Sequence, residues 1–600
     1  MWLTIISATN NERITMSTGE EAKKYLYELR WISYSIIFLI VGFSIISSSI
    51  VQADEKNDSI VITAEDIKAL NAHDMADVLN NVPGVTAGSS SVNIHGSSKV
   101  KVLVDGRPIN DPTSSHGGIN WDLVSPLEVE RIEILRGKGG LRYGQDASGG
   151  VIIITTKRAK RLTGNVKTYG GNNETFYGYS NLQMVSGKLT AGITGGYETT
   201  DGYKINNDKE RYQAGLKLAY TFDDQKSISF IGDYLKDKRG SSGLPAYPTP
   251  FSRKKNSNTN LSMRINYNRF TSTTSYNDGR KHNDDISRDI DQDLHVTEWE
   301  EDLVGTFNTG DLGELTVGYG FLLAKASGTN FSDQQEKTFS AFASQSFQWP
   351  DSPFSLGLGI RANINSAFEN AYNPEIKMTY KKEKWHVTLT YGSVNNTPSF
   401  YQRFDRTSSK NPNPDLDMET SNNYSLALFV EPAKLISFNL SLFHNRLSDR
   451  ITYLMGNDGM SQYQNVGLVT YTGGDLAFSW QFHDSIKFKG SYTYLEAKDD
   501  ETGLWLACKA KHSATANIYW KPLKALSIVA SGKYSSKVYR NKSNTISVPE
   551  YTVADLRAEY AFRRLSIFGE IENIFDKTYY YGDGLLAPTR CWIIGLNWKI

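Results

Sequence analysis

From about Lys160 to the last residue, apolar and polar side chains alternate with period two, and this constrains the fold more than any other feature. In Ile436–His444, Ile436, Phe438, Leu440 and Leu442 alternate with Ser437, Asn439 and Ser441. In Ile486–Tyr494, Ile486, Phe488, Gly490, Tyr492 and Tyr494 alternate with Lys487, Lys489, Ser491 and Thr493. The last nine residues set Trp592, Ile594, Leu596, Trp598 and Ile600 against Ile593, Gly595, Asn597 and Lys599. Such alternation reads as strand, and segments of about 9–11 residues have the length of a tilted strand that crosses a bilayer. Short connectors (Pro522–Ala525, Phe562–Arg564) trade with long polar ones (Tyr401–Glu419, Asp499–Ala510), the pattern of an outer-membrane barrel. The expected fold over 160–600 is therefore an all-β transmembrane barrel; if it has about 22 antiparallel strands, each strand with its connector takes about 20 residues. A soluble sandwich or propeller requires neither the alternation of connectors nor the 12% of aromatic residues.

Composition removes several other classes. A mean hydropathy of -0.43 is too polar for a bundle of spanning helices. Lys+Arg and Asp+Glu are both 65, so nothing favours nucleic acid as a partner. Two cysteines, Cys508 and Cys591, exclude a disulfide scaffold. Both fall near the expected outer ends of strands, where a disulfide between them is one option.

The region before the barrel has different patterning. The apolar run Trp31–Val51 follows Lys23, Lys24 and Arg30 and precedes Val51-Gln52-Ala53, which predicts a signal peptide over 1–53 and export of the chain. Met16 is an alternative start. Residues 54–159 predict a small α+β domain. Asp74 caps a short helix that Pro83-Gly84 stops, and Val100–Asp105, Val129–Leu135 and Val151–Thr156 read as strands, the last buried on both faces. No H-E-x-x-H, G-x-S-x-G or C-x-x-C arrangement occurs, and Gly137-Lys138-Gly139 lacks phosphate-loop spacing, so an enzyme is not expected.

Fragments spread along 54–600 resemble the TonB-dependent outer-membrane receptors, and the resemblance implies a barrel of about 22 antiparallel strands filled by an N-terminal plug. Asp58, Ser59, Ile60, Val61, Ile62, Thr63 and Ala64 resemble the TonB box; four of the seven are β-branched, suiting addition to a partner's sheet edge. Asp77-Val78-Leu79, Val82-Pro83-Gly84-Val85, Val102-Leu103-Val104-Asp105-Gly106 and Val129–Gly137 follow in the family's order. Tyr143-Gly144 and Gly149-Gly150-Val151-Ile152 continue the plug. Asn411-Pro412-Asn413-Pro414-Asp415-Leu416 resembles the NPNL stretch, and Glu572–Lys577 with Tyr579 the penultimate-strand signature. Two departures stand out. His95 replaces the plug's usual arginine in Ile94-His95-Gly96, putting one plug–barrel contact in doubt while Arg136 keeps its match; and the chain ends Trp598-Lys599-Ile600 where an aromatic residue is usual.

The resemblance implies uptake of a scarce large ligand, driven through TonB with ExbB and ExbD by the proton gradient, by a monomeric barrel without covalent cofactor. Ferric siderophore and cobalamin both stay open; 54–600 is short for a siderophore receptor and close to the compact cobalamin class. Candidate ligand contacts are the apical plug loops, through Ser89, Ser90, Ser91, Ser114, Ser115, His116 and Trp121, with His95, Arg136, Gly137, Tyr143, Gly144, Gly149 and Gly150 as lock and turn residues. Haem is an alternative with His116 as axial ligand, but no histidine lies between Ser393 and Asn413, and Asn396-Thr397-Pro398 replaces FRAP. A passive porin-like channel is a further alternative, one that needs neither plug nor TonB box. Asp284, Asp285, Asp289, Asp291 and Asp293 form an acidic run with hard oxygen donors of the kind Ca²⁺ takes, though a solvated acidic loop explains them as well.

Overall fold

The protein is described by a computed structural model covering residues 59–600 apart from 71, 73, 115, 116, 457 and 458. The expected signal segment 1–53, and Asp58, Ser115 and His116, lie outside the described residues.

Short apolar segments punctuated by turns make the first domain. Its strands are β1 (Ile60–Thr63), β2 (Val85–Gly88), β3 (Ser91–Ile94), β4 (Val100–Val104), β5 (Arg107–Pro108), β6 (Val129–Arg136) and β7 (Gly150–Thr156), and its helices α1 (Ala64–Leu70), α2 (Met75–Leu79) and α3 (Gly140–Tyr143). Five strands form one sheet in the order β1-β6-β7-β4-β5, while β2 and β3 form a separate hairpin. β7 is central because Val151, Ile152 and Ile154 are wholly buried, and it runs parallel to β4. Asp74 caps α2 by accepting the Asp77 amide at 2.8 Å. Gly150 takes φ +133, and a Cβ there would lie 2.0 Å from the Leu135 carbonyl oxygen, so only glycine allows β6 and β7 to meet.

Twenty-two antiparallel strands then close a barrel, from Thr163–Gly171 to Cys591–Lys599, whose last strand pairs back on the first (Trp598 opposite Val166). The alternation sorts the faces as the sequence predicts. In Ile436–Ser448, Phe438, Leu440 and Leu442 face outward, while Ser441 and Asn445 are buried in the lumen. Rings cluster at the short-turn end, among them Phe354, Tyr380 and Trp385, whose neighbouring centroids lie 4.6 and 5.3 Å apart. This is the girdle an outer-membrane barrel sets at the lipid interface.

The strands exceed the expected length: Ile290–Asn308 has 19 residues. Their outer parts continue past the apolar band as polar hairpins, which the sequence suggests are loops. The five aspartates belong to such a hairpin. Asp284 and Asp285 end one strand, Asp291 and Asp293 begin the next, and Asp289, at φ +53, sits in the turn between them.

Candidate functional site

The plug is fixed inside the barrel by buried ion pairs. Asp475, on the wall strand Val469–His483, accepts His95 Nε2 at 2.6 Å and Arg136 Nη1 at 2.6 Å on one oxygen, and the Thr493 hydroxyl at 2.8 Å on the other. Thr493 in turn accepts the Gly84 amide at 2.8 Å, and the Phe443 ring stacks on His95 at 3.6 Å. His95 thus makes the wall contact that the loss of arginine put in doubt, by donating one hydrogen bond from a buried ring. Burial pushes its imidazole below the ordinary value, against the pull of Asp475, and Nδ1 has no partner. Both facts fit a neutral ring protonated on Nε2.

Further ties join groups far apart in sequence. Arg107 pairs with Asp233, Lys101 with Glu300 at 2.7 Å, Lys217 with Asp105 at 2.8 Å, and Arg557 with Asp77 at 3.0 Å. These partners were not singled out from sequence. The available signal was the presence of Asp77, Asp105 and Arg107 as charges within otherwise apolar plug motifs.

Ile60–Thr63 of the TonB-box candidate forms β1, the edge strand of the plug sheet, paired antiparallel with β6 from Ile60 opposite Ile134 to Thr63 opposite Arg131. Ile62 is buried and Val61 is 40% exposed. The next turn is pinned to the wall, for Asp66 accepts Thr63 Oγ1 at 2.9 Å and Lys489 Nζ at 2.5 Å. Burial would raise the Asp66 carboxyl, but Lys489 and Thr63 outweigh it and hold it below the ordinary carboxylate value. Beside β1 lies a cavity of about 550 Å³, bordered by Ile60, Val61, Arg136, Lys489 and the short turn at Lys382–Trp385.

At the opposite end the Ile119 amide ties the two apical loops together by donating to the Ser90 carbonyl at 3.0 Å, while within the second loop the Gly118 amide donates to Ser114 Oγ at 2.8 Å. Ser89, Ser90 and Ser91 are exposed. Trp121 is a correction. It is 3% exposed and packs in the plug core, because the segment coils into a single-turn helix, Trp121–Leu123, that turns the indole inward. Of the turn residues, Gly137 and Gly144 take φ +64 and +88, Gly149 packs on Ser97 and Val100, and the Tyr143 carbonyl accepts Lys101 at 3.1 Å.

The acidic run does not converge as one cluster. Asp285 turns onto Ser287 and Arg288. Asp291 and Asp293 gather instead on His282, 3.7 and 3.0 Å from Nδ1. An imidazole with two carboxylates is a donor set for a transition metal rather than for calcium. Cys508, in the loop 500–511, and Cys591, at the start of the last strand, are both free thiols, so the disulfide option falls.

Comparison with known proteins agrees with this architecture. Residues 153–574 match the family model for the TonB dependent receptor-like β-barrel, and residues 52–151 match that for the TonB-dependent receptor plug domain. The chain is 24% identical over 617 residues to the iron-regulated outer membrane virulence protein of Vibrio cholerae serotype O1 (strain El Tor Inaba N16961), covering 90% of this chain and 91% of the relative. It is 24% identical over 561 residues to the vitamin B12 transporter BtuB of Photobacterium profundum, covering 86% and 88%. Among solved structures, the siderophore receptor PirA from Acinetobacter baumannii superposes with a TM-score of 0.77 at 18% identity, over 92% of this chain and 100% of that one. At that identity, the superposition establishes a shared fold.

Proposed function

The chain belongs to the TonB-dependent receptor family, and from that premise we propose that it imports a scarce large ligand, a ferric siderophore or cobalamin, across the outer membrane. The observation that carries this reading is the plug itself. A bore closed by a domain with several buried ion pairs to its wall does not pass large solutes passively, so transport needs work done on the plug. In this reading TonB, with ExbB and ExbD, supplies that work from the proton gradient to a monomeric barrel. The segment Asp58–Ala64 is its handle. β1 sits at the end of its sheet with one neighbour, so peeling it from β6 breaks only a few hydrogen bonds at about 1 kcal/mol each. The freed strand then pairs with an edge of TonB, while ligand is held above by the apical serines Ser89–Ser91 and Ser114. The names of the relatives support both ligand classes: one is iron-regulated, one transports vitamin B12, and one structural neighbour is a siderophore receptor.

The test is Val61→Pro, which removes a pairing amide from the handle. Uptake in cells that rely on this chain is expected to fall to the level of cells lacking TonB, while ligand binding to the purified protein stays unchanged. Uptake at the normal rate would refute the role of this strand.

A further inference from the structure

The hairpin of Phe270–Asp285 and Ile290–Asn308 holds an imidazole among carboxylates on paired strands rather than in its turn. The two strands pair without a bulge from Phe270 opposite Gly305 to Asp285 opposite Ile290. That register sets His282 directly opposite Asp293, and Asp284 directly opposite Asp291. The two pairs are two positions apart along each strand, so all four side chains stand on one face. It is the face that carries the exposed ring of Trp299 farther down the strand. The group therefore looks away from the bore and from anything held above the plug.

The imidazole turns both nitrogens onto this set. Its Nδ1 lies 3.0 Å from Asp293 Oδ1 and 3.7 Å from Asp291 Oδ1, and its Nε2 lies 3.5 Å from Asp284 Oδ1. The donor atoms of His282, Asp291 and Asp293 all lie within 4.8 Å of one another. A tetrahedral ion bound at about 2.1 Å needs its donors about 3.4 Å apart, and turning two exposed aspartate side chains supplies the difference. Asp293 is itself held in place, since its amide donates to Thr329 Oγ1 at 2.8 Å and its carbonyl accepts the Thr329 amide at 3.0 Å.

The hairpin's cations are engaged elsewhere. Arg280 Nε donates to Asp278 at 3.1 Å, Arg288 Nε to Asp285 at 2.7 Å, and Lys255 Nζ stands 3.7 Å from Asp284. Among the described residues, neither Asp291 nor Asp293 has a lysine or arginine at ion-pair distance. Like charges directly opposite each other destabilise a ladder, and Asp284 with Asp291 is such a pair. A protonated His282 would bring one positive charge to carboxylates that a divalent ion neutralises in full.

The geometry points to a binding site for a divalent transition metal ion of the Zn²⁺ or Ni²⁺ kind, held by His282 Nδ1 and the carboxylates of Asp291 and Asp293. The nitrogen donor separates it from an all-oxygen calcium site. Asp284 stands behind the imidazole, where a ligating histidine directs its other N–H to a carboxylate. Its Oδ1 is buried and accepts no hydrogen bond, which leaves it free for that role. Three protein ligands leave a coordination position for water, and the ion clamps the two strands together at their outer ends. This inference stands apart from the uptake reading, because it needs neither the plug nor TonB.

The test is calorimetric titration of the purified full chain with Zn²⁺, Ni²⁺ and Ca²⁺, each added as the chloride. One equivalent of Zn²⁺ or Ni²⁺ is expected to bind more tightly than Ca²⁺. His282→Ala, Asp293→Asn and Asp284→Asn should each lower Zn²⁺ affinity about tenfold or more. Asp289→Asn removes a charge from the same hairpin but not a donor, at a turn position whose φ of +53 asparagine accepts, and should bind Zn²⁺ as the unaltered protein does. Zn²⁺ should also slow amide exchange over 282–293 in the unaltered protein and not in His282→Ala, while barrel melting of the metal-free variants stays the same. Calcium binding as tight as zinc, or Asp289→Asn as weak as Asp293→Asn, would mean a diffuse acidic surface and overturn the inference. Zn²⁺ affinity unchanged by His282→Ala would overturn it as well.

Discussion

Asp475 is one carboxylate shared by His95, Arg136 and Thr493, and removing it takes the acceptor from three buried donors at once. Asp475→Ala is therefore expected to cost about 3–5 kcal/mol of plug docking, the usual result of breaking a buried pair from one side. Denaturant unfolding of the plug, followed by protease accessibility, measures it. His95 adds a pH term. Its docked imidazole is held below the ordinary value, so an undocked plug binds a proton that the docked one refuses. Docking should thus weaken as pH falls through about 6.5, the unperturbed histidine value, and His95→Gln should flatten that slope while Asp475 and Arg136 remain in place. At this scale the sequence was readable where a residue's role is local, as with Asp74 capping α2. It was not readable where partners lie more than a hundred positions apart, as with Arg107 and Asp233. Trp121 misled for a related reason: serines, glycines and a proline around it look like an exposed loop, while the packing that buries its ring comes from β3 and the rest of the plug core.

Among elements, β1 and α1 behave as one unit whose anchor is Asp66 on Lys489. Because the Asp66 carboxyl is held below its ordinary range, the anchor is present at neutral pH and is lost only in strong acid. Asp66→Asn keeps the shape and removes the charge. It should speed hydrogen exchange at the Ile60–Thr63 amides relative to the centre of β6, with little change in barrel melting; equal exchange rates in the two proteins would show that the anchor does not hold the strand. Element types were legible because period two over so many segments leaves few alternatives. Their lengths were not, since the polar tops of the hairpins carry the residue types of loops: Asp284 and Asp291 face each other across two strands, where sequence alone suggests an acidic loop.

Residues 59–600 form a closed cylinder with its bore filled, so the protein is expected to be electrically silent in a planar bilayer. Asp475→Ala combined with Asp233→Ala removes the wall's grip on His95, Arg136 and Arg107 together. Because these ties are well separated, their losses should roughly add, and the double variant should show intermittent large conductance steps that neither the unaltered protein nor the single variants show. A double variant as quiet as the unaltered protein would mean that the remaining ties of Lys101 to Glu300, Lys217 to Asp105 and Arg557 to Asp77, with apolar packing that includes Val92, Ile94 and Leu235, are enough to keep the cork seated.

The hairpin made by Phe270–Asp285 and Ile290–Asn308 reaches beyond what lipid can cover. Nineteen residues at about 3.3 Å each, tilted by about 40°, rise by roughly 45 Å, against an apolar band of about 25 Å. The tip at 286–289 therefore stands clear of the cell surface like a mast. A short epitope grafted there would be seen by antibodies on intact cells.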